Sequence, residues 1–365
     1  MNNGVIIREA TEKDISEIAA LFETEMHWLI NRDVWEWEYF KRKGHEPCFV
    51  VAEKDGRIIG TQAYIPIKMI SNKRIFLTGK SESTLICKQN RGQGIFERMY
   101  LKLFEIAKQR GVAVIWGFTG ATKAFSQLGF TVPARLSQDY IFLDIRTSIK
   151  FFLDKLRKYY GNLSYLVAFP LIMFLLLKRL RLWVSLTYYG MKYSSYFKNV
   201  CELTKADDDF NKLLSQMNDQ HQINGVVTIY RDDSYMNWRI FNNPCIDYKI
   251  LMYSEGETRG YMIFYIREGI IAITDYYCTI VDKIFPLLLN RVLRYGLINK
   301  IWCVQFCDHE STENQKYRKY FKFYSSMKFK NRTPMVLRII GDGLIAGEMD
   351  IGEWFITDIF SQGIS

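Results

Sequence analysis

At 365 residues the chain is too long for one small domain, and a typical size of roughly 100–200 residues per domain makes two units the expectation. Hydrophobic residues make up 48%, charged residues 24% and aromatics 15%, which excludes a disordered tail protein, a collagen-like chain and a coiled coil. The net charge of +10 is concentrated. Between Arg146 and Val200 stand ten Lys/Arg (146, 150, 155, 157, 158, 178, 179, 181, 192, 198) against one acid, Asp154. The basicity therefore belongs to a segment, and the rest of the chain is nearly neutral.

In chain order, Val5–Glu9 and Phe49–Glu53 read as strands around an amphipathic helix, Asp14–Glu25, with Thr11 or Asp14 as its cap. Ile58–Tyr64 and Ile67–Thr78 follow as strand runs, the second continuing past a turn at Asn72. Lys80–Lys88 is the next strand. A glycine loop leads into a helix over 95–110, a strand over 112–118 and a short helix over 121–128.

The longest apolar run, Leu163–Leu177, contains Pro170 and is followed at once by KRLR. Fifteen residues fall short of the ~20 that a helix needs to cross a bilayer. Two readings stay open: a helix wedged between domains, or an element in 150–185 lying on an anionic membrane face as a peripheral anchor.

Beyond it the chain repeats itself. VWEWEYF, Pro47 and EKDGRIIGTQAYI are answered by YMNWRIF, Pro244 and YSEGETRGYMIFYI. Trp37 and Trp238 are 201 apart, as are Phe40 and Phe241, while Gly56/Gly256 and Gly60/Gly260 are 200 apart. Each half then offers a helix ending in glycine (Gly111, Gly296), a strand-like run, and the answering triplets Leu128-Gly129-Phe130 and Met327-Lys328-Phe329. An internal duplication is expected. The division is 1–145, a basic apolar helical insert at 146–200, and 201–365.

The chemistry-bearing motif is Gln89-Asn90-Arg91-Gly92-Gln93-Gly94, placed between the strand TLIC and the helix starting near Ile95. The glycines let backbone N–H groups approach an anion, and the helix adds its positive dipole end, so a diphosphate is the natural occupant. No Lys-Ser/Thr follows the glycines, which disfavours a phosphate-loop nucleotidase. Position 97 is Glu rather than a third glycine, which disfavours a dinucleotide-binding Rossmann unit.

The loop resembles the pyrophosphate loop of the GNAT superfamily of acetyltransferases, Q/R-x-x-G-x-G/A, matched by Gln89, Gly92 and Gly94. The family's later x-L-G-F signature is matched by AFSQLGF, with Gly129 lying 35 residues after Gly94. The likeness covers about residues 4–145. It implies an α+β fold of two GNAT-like domains, each a mostly antiparallel sheet flanked by helices, the second degenerate. It also implies acetyl-CoA, or another acyl-CoA, as cosubstrate for direct transfer to an amine. Gln89–Ile95 would hold the pyrophosphate, and the backbone of Leu85, Ile86, Cys87 and Lys88 would pair with the pantetheine arm and polarise the thioester carbonyl.

GNAT enzymes often carry a tyrosine acid four residues before the glycine of L-G-F, where this chain has Phe125. Tyr140, Tyr64 or a water is then left to protonate the thiolate. Glu82, on the strand leading into the loop, is the candidate base, with Glu25 and His27 as acceptor-side candidates. Cys87, in an apolar strand, reads as inert. Arg91 either binds a phosphate or braces the loop. In the second half the corresponding link, Thr279-Ile280-Val281-Asp282, has no glycine and carries an acid, so this half is read as having lost the nucleotide.

The function read from the sequence is acyl-CoA-dependent N-acyl transfer to a small amine, such as an amino sugar or cell-envelope precursor. The alternative is a non-catalytic CoA-binding or scaffolding module. Nucleic acid is disfavoured because the basic segment is too apolar at its centre. Seven cysteines without a C-x-x-C pair, and four histidines never at ligand spacing with them, argue against a disulfide framework or a metal site, and for a cytoplasmic setting. The start MNNGVIIREATEKD has no apolar signal core.

Overall fold

The computed structural model describes residues 4–29, 31–41, 48–71, 74–161, 164–341 and 353–360. Its strands are β1 (Val5–Glu9), β2 (Cys48–Lys54), β3 (Arg57–Ser71), β4 (Arg74–Ile86), β5 (Val114–Phe118), β6 (Thr131–Phe142), β7 (Val200–Leu203), β8 (Thr228–Ile229), β9 (Tyr248–Glu255), β10 (Thr258–Arg267), β11 (Ile270–Cys278), β12 (Cys303–Asp308) and β13 (Met327–Ile339). The helices are α1 (Ile15–Met26), α2 (Arg32–Trp35), α3 (Ile95–Gln109), α4 (Thr122–Gln127), α5 (Ile145–Tyr160), α6 (Ser164–Lys192), α7 (Asp208–Ile223), α8 (Asp233–Met236), α9 (Val281–Ile298) and α10 (Thr312–Phe323).

The sheet runs β1-β2-β3-β4-β5-β13-β6-β12-β11-β10-β9-β7, with β8 on β3. It is mostly antiparallel, and the exceptions are β4 with β5 and β11 with β12. Two sequence expectations change here. The halves do not own separate sheets: β13 comes from the end of the chain yet pairs β5, and β6 comes from the first half yet pairs β12. Each half thus lends its last strand to the join. The strands drawn as 58–64, 67–78 and 80–88 are instead two long ones, β3 and β4, with the Asn72 turn outside the described residues. Pro66 does not stop β3 because it lies past the stretch of β3 paired with β2, where no amide is demanded on that side.

Side chains of β3 alternate between two cores. Ile65, Ile67 and Met69 join Trp35, Phe210, Trp116 and Trp354 in a cluster shared by both halves, under α1 and α7. Tyr64 and Ile59 join Met99, Tyr100 and Phe125 beneath α3. A third cluster gathers α9, α10 and one face of α6. The tail at 353–360 wedges between the halves. Phe355 packs on Tyr276 and Tyr317 of the second half, while Phe360 packs on Trp116 of the first, at 5.6 Å between ring centroids.

The 201-residue offset has a spatial meaning. Trp37 and Trp238 occupy matching π-helical turns, 36–40 and 237–241, and stack on each other at 5.4 Å. Gly56 and Gly256 both turn hairpins with positive φ, 74° and 59°. Gly60 and Gly260 each lie beneath the long helix of their half, against Met99 and Ile284 respectively. Pro47 and His45 lie outside the described residues.

Candidate functional site

The strands β4 and β5 pair in parallel over Thr78–Lys80 and Val114–Trp116 and then part. Residues 81–86 of β4 therefore present a side to which β5 is not bonded. A register shift opposite Thr61–Ala63 and a left-handed Ser83 (φ 54°) bend β4 at that point, as bulges beside functional sites do. Ser83 is held there by the Tyr39 hydroxyl at 2.8 Å, and its carbonyl accepts from the Thr61 hydroxyl. The divergence opens a cavity of about 280 Å³ lined on β4 by Ser81, Glu82, Ser83 and Thr84, and closed by Phe118 and Phe125.

The glycine loop follows directly. Residues 88–90 form a 3₁₀ turn, Arg91 is extended, and Gly92 and Gly94 adopt φ of 76° and 70°. A Cβ at either glycine would meet no atom within 4 Å, so the left-handed backbone, not crowding, is what demands glycine. Gly94 is the N-cap of α3 and provides no side-chain cap, which leaves the first-turn amides of that helix to an external acceptor. The loop is anchored from both sides. Arg91 Nε donates to the Ile86 carbonyl at 3.0 Å, and the Lys88 amide donates to Glu25 Oε2 at 3.2 Å. These features fit a diphosphate at the α3 start and an extended thiol arm along β4.

Of the residues singled out in the sequence, Glu82 lines the cavity and pairs with Lys80 at 2.5 Å. Burial pulls the Lys80 ammonium below its usual range, and Glu82 opposes that. Leu85 and Ile95 point into the cores, so Leu85 has only its backbone to offer. Asn90 is buried, whereas Gln89, Arg91, Gly92, Gln93 and Gly94 are exposed. Cys87 is half-buried, and burial raises its thiol, which keeps it protonated. Glu25 serves the loop, and His27 is an exposed left-handed C-cap of α1. Tyr140 lies on β6, where it pairs with Gln305 of β12 and donates to Gln138. It is not among the cavity residues.

Sequence reasoning missed the hydroxyl cluster behind the cavity, which reaches it through Ser81 and Thr84. Tyr100, on the buried face of α3, shares a 2.8 Å hydrogen bond with Ser81 Oγ and a 3.3 Å one with Thr84 Oγ1. Gln62 donates to Ser81 at 3.1 Å and accepts from Thr84. Burial holds the Tyr100 phenol well above its ordinary value, and its ring lies 5.3 Å from that of Phe125. Nothing in the helical spacing separates Tyr100 from the core aromatics around it.

A second missed group joins the halves. Glu38 and Arg239, 201 residues apart, form a buried pair at 3.3 Å, with the guanidinium over the stacked Trp37 and Trp238 rings. Desolvation pushes the Glu38 carboxyl up to about 7, against the pull of Arg239. The repeat itself was the available signal, since the duplicated positions carry opposite charges.

The first turn of α9 is different. Thr279 Oγ1 is engaged with Arg259 of β10, and Asp282 accepts from Lys319 at 2.6 Å and from Tyr320 at 2.7 Å. Among the described residues no group of three His, Cys, Asp or Glu side chains is placed to hold a metal.

Residues 6–132 match the family model of the acetyltransferase (GNAT) domain, a span that contains the bulge, the glycine loop and α4. This stretch, about a third of the chain, is similar to a GNAT acetyltransferase domain. The match ends at the start of β6. Similar solved structures extend over more of the chain. One is a conserved protein of Enterococcus faecalis V583 described as a probable N-acyltransferase, at 10% identity and a TM-score of 0.62, covering 92% of this chain and 72% of that one. Others are GCN5-related N-acetyltransferases from Kribbella flavida (8%, TM-score 0.60, 92% and 72% covered) and Anabaena variabilis ATCC 29413 (10%, TM-score 0.60, 92% and 73% covered). At such identities the likeness is one of fold. No curated protein matches the chain. The GNAT likeness thus belongs to residues 6–132, and the family it points to uses acyl-CoA as cosubstrate.

Proposed function

We propose that the protein transfers an acyl group, acetyl in the simplest case, from acyl-CoA to a primary amine on a small acceptor such as an amino sugar or cell-envelope precursor. The observation that carries this reading is the continuity of the α3 glycine loop with the cavity between β4 and β5. The loop amides would take the diphosphate and residues 85–88 would align the arm. The thioester would then lie beside Ser81–Thr84.

The reaction is direct attack. The amine nitrogen bonds to the thioester carbon, the C–S bond breaks, one amine proton goes to a base and one proton goes to the departing sulfur. Glu82 is the base that lines the cavity, and Lys80 holds its carboxylate in place. Phe125 cannot donate a proton. The Ser81 hydroxyl, which lines the cavity and shares a hydrogen bond with the buried, protonated Tyr100, passes that proton in this reading, with Tyr100 behind it. Tyr140 remains a candidate only if the acceptor reaches β6.

We read 201–365 as a GNAT-like copy that has lost its nucleotide and shapes the molecule's other half. The strand order, the stacked Trp37 and Trp238 and the carboxylate of Asp282 in the first turn of α9 support this. The alternative, a CoA-binding module without turnover, has Phe125 in its favour. Acetyl-CoA incubated with pooled amino sugars, polyamines and peptides separates the two by thiol release and intact mass. A product gaining one acetyl group supports transfer, whereas CoA binding with no product on any amine supports the module.

A further inference from the structure

The insert leaves one large surface unexplained. One face of α6 is spent on the protein: Leu182, Leu186 and Tyr189 are buried against α9 and α10, and Ser185 and Lys178 donate to the carbonyls of Phe323 and Ser326. The opposite face is just as apolar. Phe169, Met173, Leu177, Leu180, Trp183 and Met191, at spacings of three, four and eight residues, are between 44% and 71% exposed. They form a single stripe of about 33 Å along the helix at its 1.5 Å rise per residue. An apolar patch of that extent on a water-facing surface marks a place where something docks.

The charge around the stripe selects the occupant. Arg181 and Lys192 follow Leu180 and Met191 at the margin of the stripe and are exposed, and α5 turns Arg146, Lys150 and Lys158 outward. From Lys155 to Cys201 the chain has no acidic residue. A second copy of this chain would bring like charges together across a two-fold contact. A surface with an apolar interior and an anionic face suits both features at once, with aromatic and aliphatic side chains in the acyl boundary and cations at the headgroups. Among the described residues no helix is long and apolar enough to cross a membrane.

We infer that α6 seats the protein on the surface of an anionic bilayer, lying in its plane along the Phe169–Met191 stripe. This stands apart from the acyl-transfer reading, and its test involves no turnover. The full chain is floated with phosphatidylcholine vesicles, with and without phosphatidylglycerol, alongside two variants of exposed residues whose folding is checked by circular dichroism. Binding is expected only where phosphatidylglycerol is present. Leu180→Asp/Trp183→Asp should lower it at least about tenfold. Arg181→Gln/Lys192→Gln should lower it about fivefold per cation removed and weaken its salt dependence. Equal binding to neutral vesicles, no binding to anionic ones, or an aspartate variant that binds like the wild type would overturn the inference. So would a wild-type dimer that Leu180→Asp/Trp183→Asp converts to monomer while vesicle binding stays nil.

Discussion

The starts of α3 and α9 occupy corresponding places, each following the strand that pairs in parallel with the next one. At α3 two left-handed glycines leave the approach to the uncapped first turn open to an anion. At α9 the N-cap Ile280 has no side-chain cap either, but no glycine precedes it, Thr279 is tied to β10, and Asp282 places a carboxylate in the first turn, bonded to α10. The same framework therefore favours or disfavours an anion according to whether glycines open the helix start or an acid stands in it. A phosphate group would be drawn to the first and repelled by Asp282 in the second.

The sharpest way to break the comparison is to force the α3 loop toward ordinary backbone. Gly92→Val/Gly94→Val should lower acyl-CoA affinity by about 100-fold, about 2.7 kcal/mol, as read by equilibrium binding. A smaller change is expected behind the cavity. Tyr100→Phe should reduce kcat about 10- to 100-fold while leaving the KM for acyl-CoA near its starting value, because only proton donation is removed.

The junction between the halves gives a pH signature. Glu38 titrates near 7 in the folded protein, above its ordinary value, so the folded state holds that proton longer than the unfolded chain does. Stability should therefore be greatest at acid pH for this group and decline as pH rises through about 5 to 7. Glu38→Gln should flatten that decline in thermal melts. The smallest effect belongs to α9. Asp282→Asn removes an exposed ion pair and should cost less than about 1 kcal/mol, with acyl-CoA affinity unchanged.

Local signals were enough for much of this architecture. The strand read at Val5–Glu9 is β1 without adjustment, and the helix read from 95 after the glycine loop is α3. The glycine loop could be read because its requirement is local: a left-handed backbone ahead of a helix. The exchange of β6 and β13 could not, since strand neighbours so far apart in sequence are fixed by packing, and either arrangement satisfies the same alternation. Tyr100 and Arg239 were hidden for a related reason. Each looks like core or surface until a distant strand or turn is brought to it. The repeat offset pointed to Trp37 and Trp238 as equivalents, but their stacking is a property of how the halves meet.

Hydrogen–deuterium exchange of the intact protein with and without coenzyme A tests the central claim most directly, since both helix starts are read in one sample. Slowed exchange at residues 89–97, with none added at 279–284, is the expected result. Protection at α9 instead, or no change at α3 under saturating coenzyme A, would contradict the account.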